Sequence, residues 1–156
     1  MAEHGFGSRR SGTAPGARAP ARPRSRARPP RRRTLSELRP WVKQGRYRIG
    51  NHAAKHATCE GFTESDIVQT VLYGRELMRY WEDERLLVLG YLPVSASVKI
   101  PLHVVLEYRT HRWVDVVTAF IPHDPHRVPS RARLAEALRY DRDEPWSRVV
   151  GPASGR

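Results

Sequence analysis

His52, Lys55 and His56 fall within one short stretch of the chain, and His103, Tyr80, Arg85, Arg109 and Thr118 follow along the next part of it. Cutting RNA without a metal takes a base for the ribose 2′-hydroxyl, cations around a pentacoordinate phosphate, and an acid for the leaving oxygen. Imidazole serves as base or acid because it titrates near neutrality, and ammonium and guanidinium groups hold the phosphate. On that chemistry His103, His52, Thr118 and Tyr80 are candidate catalytic residues, and Lys55, His56, Arg85 and Arg109 candidate RNA contacts.

Each of these residues also has a bland role. His103 fits a half-buried strand residue bonded to Thr118, and His52 fits a helix-start histidine that bonds backbone or packs. Tyr80 and Trp81 can stack on bases or cap a core. His52 and His56 are spaced i, i+4, as in a two-histidine zinc site, but no Glu lies between them, and His123 and His126 complete such a site only if folding brings them close. Cys59 reads as a packing residue, and Glu82, Asp83 and Glu84 as a solvated hairpin tip. Phosphate-binding glycine loops, dinucleotide fingerprints, nucleophile elbows and paired-carboxylate motifs are missing from the sequence, so no cofactor is expected.

Positioning these groups requires a folded domain, and the charge distribution shows where it lies. The formal net charge is +12. From Met1 to Arg46 there are 13 Lys/Arg against Glu3 and Glu37, a net of +11, whereas Tyr47 to Arg156 has 15 against 14, a net of +1. Ala14 to Arg33 holds no aliphatic residue larger than Ala and cannot bury enough apolar surface to offset ordering entropy. Residues 1–40 are therefore expected to be a disordered Arg/Pro-rich tail, in which Arg31, Arg32 and Arg33 can hold phosphates without regard to sequence. One cysteine rules out an intramolecular disulfide, and no run approaches a membrane span. Arg9-Arg10 lacks the apolar stretch of an export signal, so the expectation is a cytoplasmic protein that needs no membrane.

Order is expected from Trp41 and a short strand, Tyr47-Arg48-Ile49. Asn51 then caps a helix ending at Gly61, and Thr63 with Asp66 forms a capping box for a second helix ending at Gly74. Alternation follows in Arg75 to Trp81, Arg85 to Leu92, Ile100 to Tyr108 and Arg112 to Ile121. A two-residue loop at Thr110-His111 would set Leu106 opposite Asp115, Val104 opposite Val117 and Leu102 opposite Ala119. Leu92 opposite Ile100 places Arg85 across from Glu107. Ser130 can cap a last helix, Arg131 to Tyr140. The fold class predicted is α+β: two N-terminal helices packed on a four-stranded antiparallel β-meander, with a short C-terminal helix. One sheet face would be buried by the helices, and a mixed face would present His103, Thr118, Arg109, Arg85 and Glu107.

The landmarks Asn51-His52, Gly61-Phe62-Thr63, Tyr80, Pro101-Leu102-His103-Val104-Val105 and Ile121-Pro122, in that order, resemble the DUF 4258 family of small bacterial domains of unknown function. The likeness runs from about Arg46 to Pro125, within a domain spanning residues 41–128 and followed at 129–156 by a short helix and a flexible C-terminal tail. Lys55-His56-Ala57-Thr58 with Phe62-Thr63-Glu64 also resembles a stretch of BrnT-type toxins, which have the RelE-like ribonuclease fold. Ala57 stands where those toxins have Gly, and Lys55 or His56 where an Arg is familiar. The resemblance implies a toxin-like endoribonuclease, with RNA and an antitoxin-like protein as partners. The alternatives are a non-catalytic nucleic-acid or protein binding module, and a protein docking on Leu134 and Leu138 or on a strand edge.

Overall fold

The computed structural model describes Met1, residues 27–139 and residues 148–150. The expectations for the remaining tail residues at either end lie outside the described residues. The elements are α1 (Leu35–Lys43), β1 (Tyr47–Ile49), α2 (Asn51–Glu60), α3 (Glu64–Tyr73), β2 (Arg75–Tyr80), a 3-10 turn (Trp81–Asp83), β3 (Arg85–Pro93), β4 (Lys99–Glu107), β5 (Val114–Phe120), α4 (Arg131–Ala137) and β6 (Arg148–Val150). No helix among the described residues is long and apolar enough to cross a membrane.

The four-stranded antiparallel reading is overturned. β2 to β5 form part of a six-stranded mixed sheet of order β2-β3-β4-β5-β1-β6, in which β1 runs parallel to β5 and β6 antiparallel to β1. Three helices, not two, precede β2. Helical structure begins before Trp41, at α1, where Thr34 and Glu37 form a capping box and Leu35, Leu38 and Val42 are buried. The short β1 carries too few residues to display a period, and its parallel partner is distant in sequence.

Local chemistry fixes the helices on the sheet. The Thr63 hydroxyl accepts from Asp66 N at 3.2 Å while Asp66 Oδ2 accepts from Thr63 N at 2.7 Å, closing the capping box of α3. Gly61 ends α2 at φ +80, a left-handed conformation in which an L side chain is strained. One core cluster joins Leu38, Ala53, Ala57, Ile67 and Val71 of the three helices to Leu86, Val88, Leu102, Val104, Leu106, Val114 and Val116 of the sheet.

Across the sheet the registers carry a row of charge. Arg85 pairs with Glu107, as the hairpin alignment anticipates, Glu107 stands opposite Asp115, and Asp115 opposite Arg48. Arg85 Nε lies 2.7 Å from Glu107 Oε2, and Arg48 binds Asp115 through two bonds of 2.5 and 2.8 Å. The neighbouring carboxylates are thus each flanked by a guanidinium on the far side, which offsets their mutual repulsion.

The expected register of β5 fails. Val117 was to face Val104, Asp115 to face Leu106 and Ala119 to face Leu102; Val104 faces Ala119 and Leu106 faces Val116, with a register shift between Val105 and Leu106. The connection from β4 to β5 runs from Tyr108 to Trp113 rather than through two residues, with Thr110 Oγ1 accepting from Trp113 N at 3.2 Å and donating to Trp113 O at 3.0 Å. The longer connection shifts the register by one residue and so puts Val117 on the opposite side, and the bulge between Val116 and Thr118 returns Ala119 to the core face. That side is not open: Leu134 and Leu138 cover Tyr80, Leu87, Val105 and Val117 in a second cluster. The same burial withdraws Leu134 and Leu138 from the docking role considered for them.

Candidate functional site

The sheet face on which His103 was to meet RNA is enclosed. His103 is 0% exposed and Thr118 3%. His103 Nε2 lies 2.8 Å from the Pro125 carbonyl, which only accepts, so Nε2 carries the proton and the bare Nδ1 is buried without a partner. Burial holds the His103 imidazole below its ordinary pKa, opposed by the Pro125 bond. His103 stands opposite Phe120 and contacts its ring edge-on, and Thr118 stands opposite Val105, so the expected His103–Thr118 pair is not formed.

Tyr80 donates to the Pro129 carbonyl at 2.7 Å, and burial pushes its phenol up to about 12. Arg85 is 6% exposed and held by Glu107. Arg109 is exposed and reaches Glu107 at 3.5 Å. His103, Thr118, Tyr80 and Arg85 are thus all buried.

The other candidates do come together. His52, Lys55 and His56 occur at i, i+3 and i+4 on α2, which is one face of a helix whose opposite face buries Ala53 and Ala57. The rings of His52 and His56 stack with centroids 4.6 Å apart and planes 24° from parallel. His56 Nδ1 lies 2.6 Å from Glu60 Oε1, while Glu60 Oε2 accepts from Ile121 N at 2.6 Å. An ionised carboxylate only accepts, so Nδ1 carries the proton and Nε2 of a neutral His56 offers its lone pair outward.

These side chains line a cleft of about 400 Å³ together with Cys59 and with Ala137 of α4. Cys59, expected to pack, is exposed there. α2 lies on the face bearing Leu102, Val104 and Leu106, whereas His103 projects to the other, so the sheet separates His52 from His103. Among the described residues no group of three or more His, Cys, Asp and Glu side chains is arranged to hold a metal ion; His126 instead sits 3.1 Å from Arg75.

Glu60 is the residue that sequence reasoning missed, and its i, i+4 spacing from His56 is the signal that could have found it. Two members of the acidic triplet are likewise engaged rather than solvated, while Glu82 is exposed: Asp83 binds Arg131, whose hydrogen bonds hold its carboxyl below the ordinary range, and Glu84 is 7% exposed and accepts from Arg28 and Arg31. No protein family, curated protein or solved structure matches this chain.

Proposed function

We propose that the protein is a metal-independent endoribonuclease acting at the α2 cleft. The observation that carries this reading is the convergence in one cleft of two imidazoles, one ammonium and the carboxylate that orients one imidazole. His56 Nε2 takes the proton of the ribose 2′-hydroxyl, whose oxygen attacks phosphorus. Lys55 offsets the charge that gathers on the phosphoryl oxygens. The bond from phosphorus to the 5′-oxygen breaks, His52 supplies that oxygen with a proton, and a 2′,3′-cyclic phosphate is left upstream. Glu60 is a positioning residue: it fixes the His56 tautomer and stabilises the imidazolium as it forms. The resemblance of the Lys55-to-Thr58 stretch to BrnT-type toxins falls on this same helix.

The experiment is end-group analysis of a labelled RNA incubated with the full chain in chelator. Products ending in 2′,3′-cyclic phosphate support the reading, and intact RNA overturns it. A second reading, nucleic-acid binding without cleavage, is favoured by the enclosure of His103, Thr118 and Arg85.

A further inference from the structure

The last residues of the Arg/Pro-rich segment are not a free arm. Arg28 Nη2 binds Glu84 Oε1 at 2.8 Å and Arg31 N binds the same oxygen at 2.6 Å, which straps the segment over the turn between β2 and β3. The Arg31 guanidinium contacts His111 Nδ1 in the loop between β4 and β5. Arg32 then lies over the Trp81 ring at 5.4 Å, with Arg79 over the same ring at 5.2 Å. Arg33 and Arg46 each lie 4.8 Å from the Trp41 centroid. Arg112, exposed, sits beside Arg46, whose Nε donates to its carbonyl at 2.9 Å.

Carboxylates reach only part of this cation cluster. Glu84 takes Arg28, Glu76 takes Arg79, and Glu107 takes Arg85 and Arg109. No carboxylate binds the guanidiniums of Arg31, Arg32, Arg33, Arg46 and Arg112 among the described residues. His111 is held below its ordinary pKa by loss of solvent and by the charges of Arg31, Arg28 and Arg33, an arrangement that an added anion would relieve. Cations interleaved with indoles are the chemistry of a chain that alternates phosphates with flat bases: guanidiniums neutralise the phosphates, and bases stack on indole or guanidinium planes.

We propose that this end of the sheet, built from Arg31 to Arg33, Trp81, Trp41, Arg46 and Arg112, is a binding site for single-stranded nucleic acid. It is formed by the strand turns and the strap, not by α2, so its ligand binding stands independently of cleavage at the α2 cleft. Arg32, Arg33 and Arg112 contact phosphates, and the Trp81 indole with its flanking guanidiniums carries a base.

The test is the affinity of the full chain for a labelled 2′-O-methyl oligouridine, which cannot be cleaved because its nucleophile is blocked, measured at several salt concentrations. Trp81→Ala is expected to weaken binding about tenfold and Trp81→Phe to retain most of it. Arg32→Ala/Arg33→Ala is expected to weaken binding and to lower the salt slope by about 1.4. The blocked 2′-oxygen makes each of these readouts independent of cleavage, so a failed ribonuclease reading leaves the result intact. A folded Trp81→Ala that binds like the parent, or an Arg32→Ala/Arg33→Ala variant with an unchanged slope, overturns the proposal and assigns binding to charge elsewhere on the chain. Should Trp81→Ala lower the thermal midpoint, the exposed Arg32 and the paired Phe variant still decide the matter.

Discussion

His56 Nδ1 and Glu60 Oε1 stand 2.6 Å apart, and the second oxygen of Glu60 holds the backbone N–H of Ile121. One carboxylate thus orients an imidazole of α2 and anchors the helix to the chain leaving β5. Glu60→Gln keeps the shape but loses the charge that favours the Nδ1–H tautomer and the imidazolium. Cleavage by this variant is expected to fall about tenfold or more through kcat with KM little changed. Glu60→Ala additionally leaves the Ile121 N–H without its partner, and is expected to cost about 1–3 kcal/mol in urea unfolding. An unchanged kcat in the Gln variant contradicts the positioning role.

The row Arg85, Glu107, Asp115, Arg48 predicts strong coupling between its members. The Asp115 side chain is 5% exposed, so Arg48→Ala leaves a buried carboxylate without its guanidinium and is expected to destabilise by about 3 kcal/mol. Arg48→Met/Asp115→Leu is expected to regain most of that loss, because no uncompensated charge remains. Additive effects of the single substitutions in a double-mutant cycle would show that the pair is not coupled.

How far the sequence carried the fold follows from the range of each interaction. The alignment of β3 with β4 was legible because it is local and constrained twice, by Leu92 against Ile100 and by Arg85 against Glu107. Thr63 with Asp66, and Gly61 and Gly74, marked helix ends for the same reason. β5 differs because the longer loop around Thr110 shifts its register by one residue and sends Val117 to the other face, and no pattern within β5 announces that or the bulge that follows. α1 was hidden by its surroundings: Leu35, Leu38 and Val42 have helical spacing, but arginines precede them and Pro40 lies inside the helix. The enclosure of His103 depends on the chain after β5 bringing the Pro125 carbonyl back to its imidazole, a tertiary choice that alternation along β4 cannot reveal. Three of the four groups of the candidate site were legible because His52, Lys55 and His56 share one helix; the fourth, Glu60, carries a spacing signal from His56, but its bond to Ile121 N is tertiary and silent in the sequence.

Stability is expected to fall on acidification through His103. Its folded-state pKa is lowered by burial, so below the ordinary histidine value the unfolded chain binds a proton that the folded chain does not. Stability is therefore fully present above that value and declines as pH drops through it. Thermal midpoints between about pH 7.5 and about pH 5.5 are expected to drop less in His103→Gln than in the parent. Parallel curves would remove His103 as the source.

Gly90 sets how closely α3 approaches β3. A Cβ there would meet Thr70 Oγ1 at 2.7 Å and Thr70 Cα at 3.0 Å, so the helix must shift. Gly90→Ala is expected to cost about 1–3 kcal/mol, and Thr70→Ala in the same chain to recover part of it. Chemical denaturation of the single and double variants measures both, and a neutral Gly90→Ala contradicts the close packing.

The most direct measurement is cleavage of a labelled RNA by the purified full chain in chelator, compared with His56→Ala and across pH. A bell-shaped rate profile is expected in the parent, as one imidazole acts without its proton and the other with it, and a loss of about a hundredfold or more in His56→Ala. Cleavage by His56→Ala at the parental rate, or no cleavage by the folded parent, contradicts the ribonuclease reading.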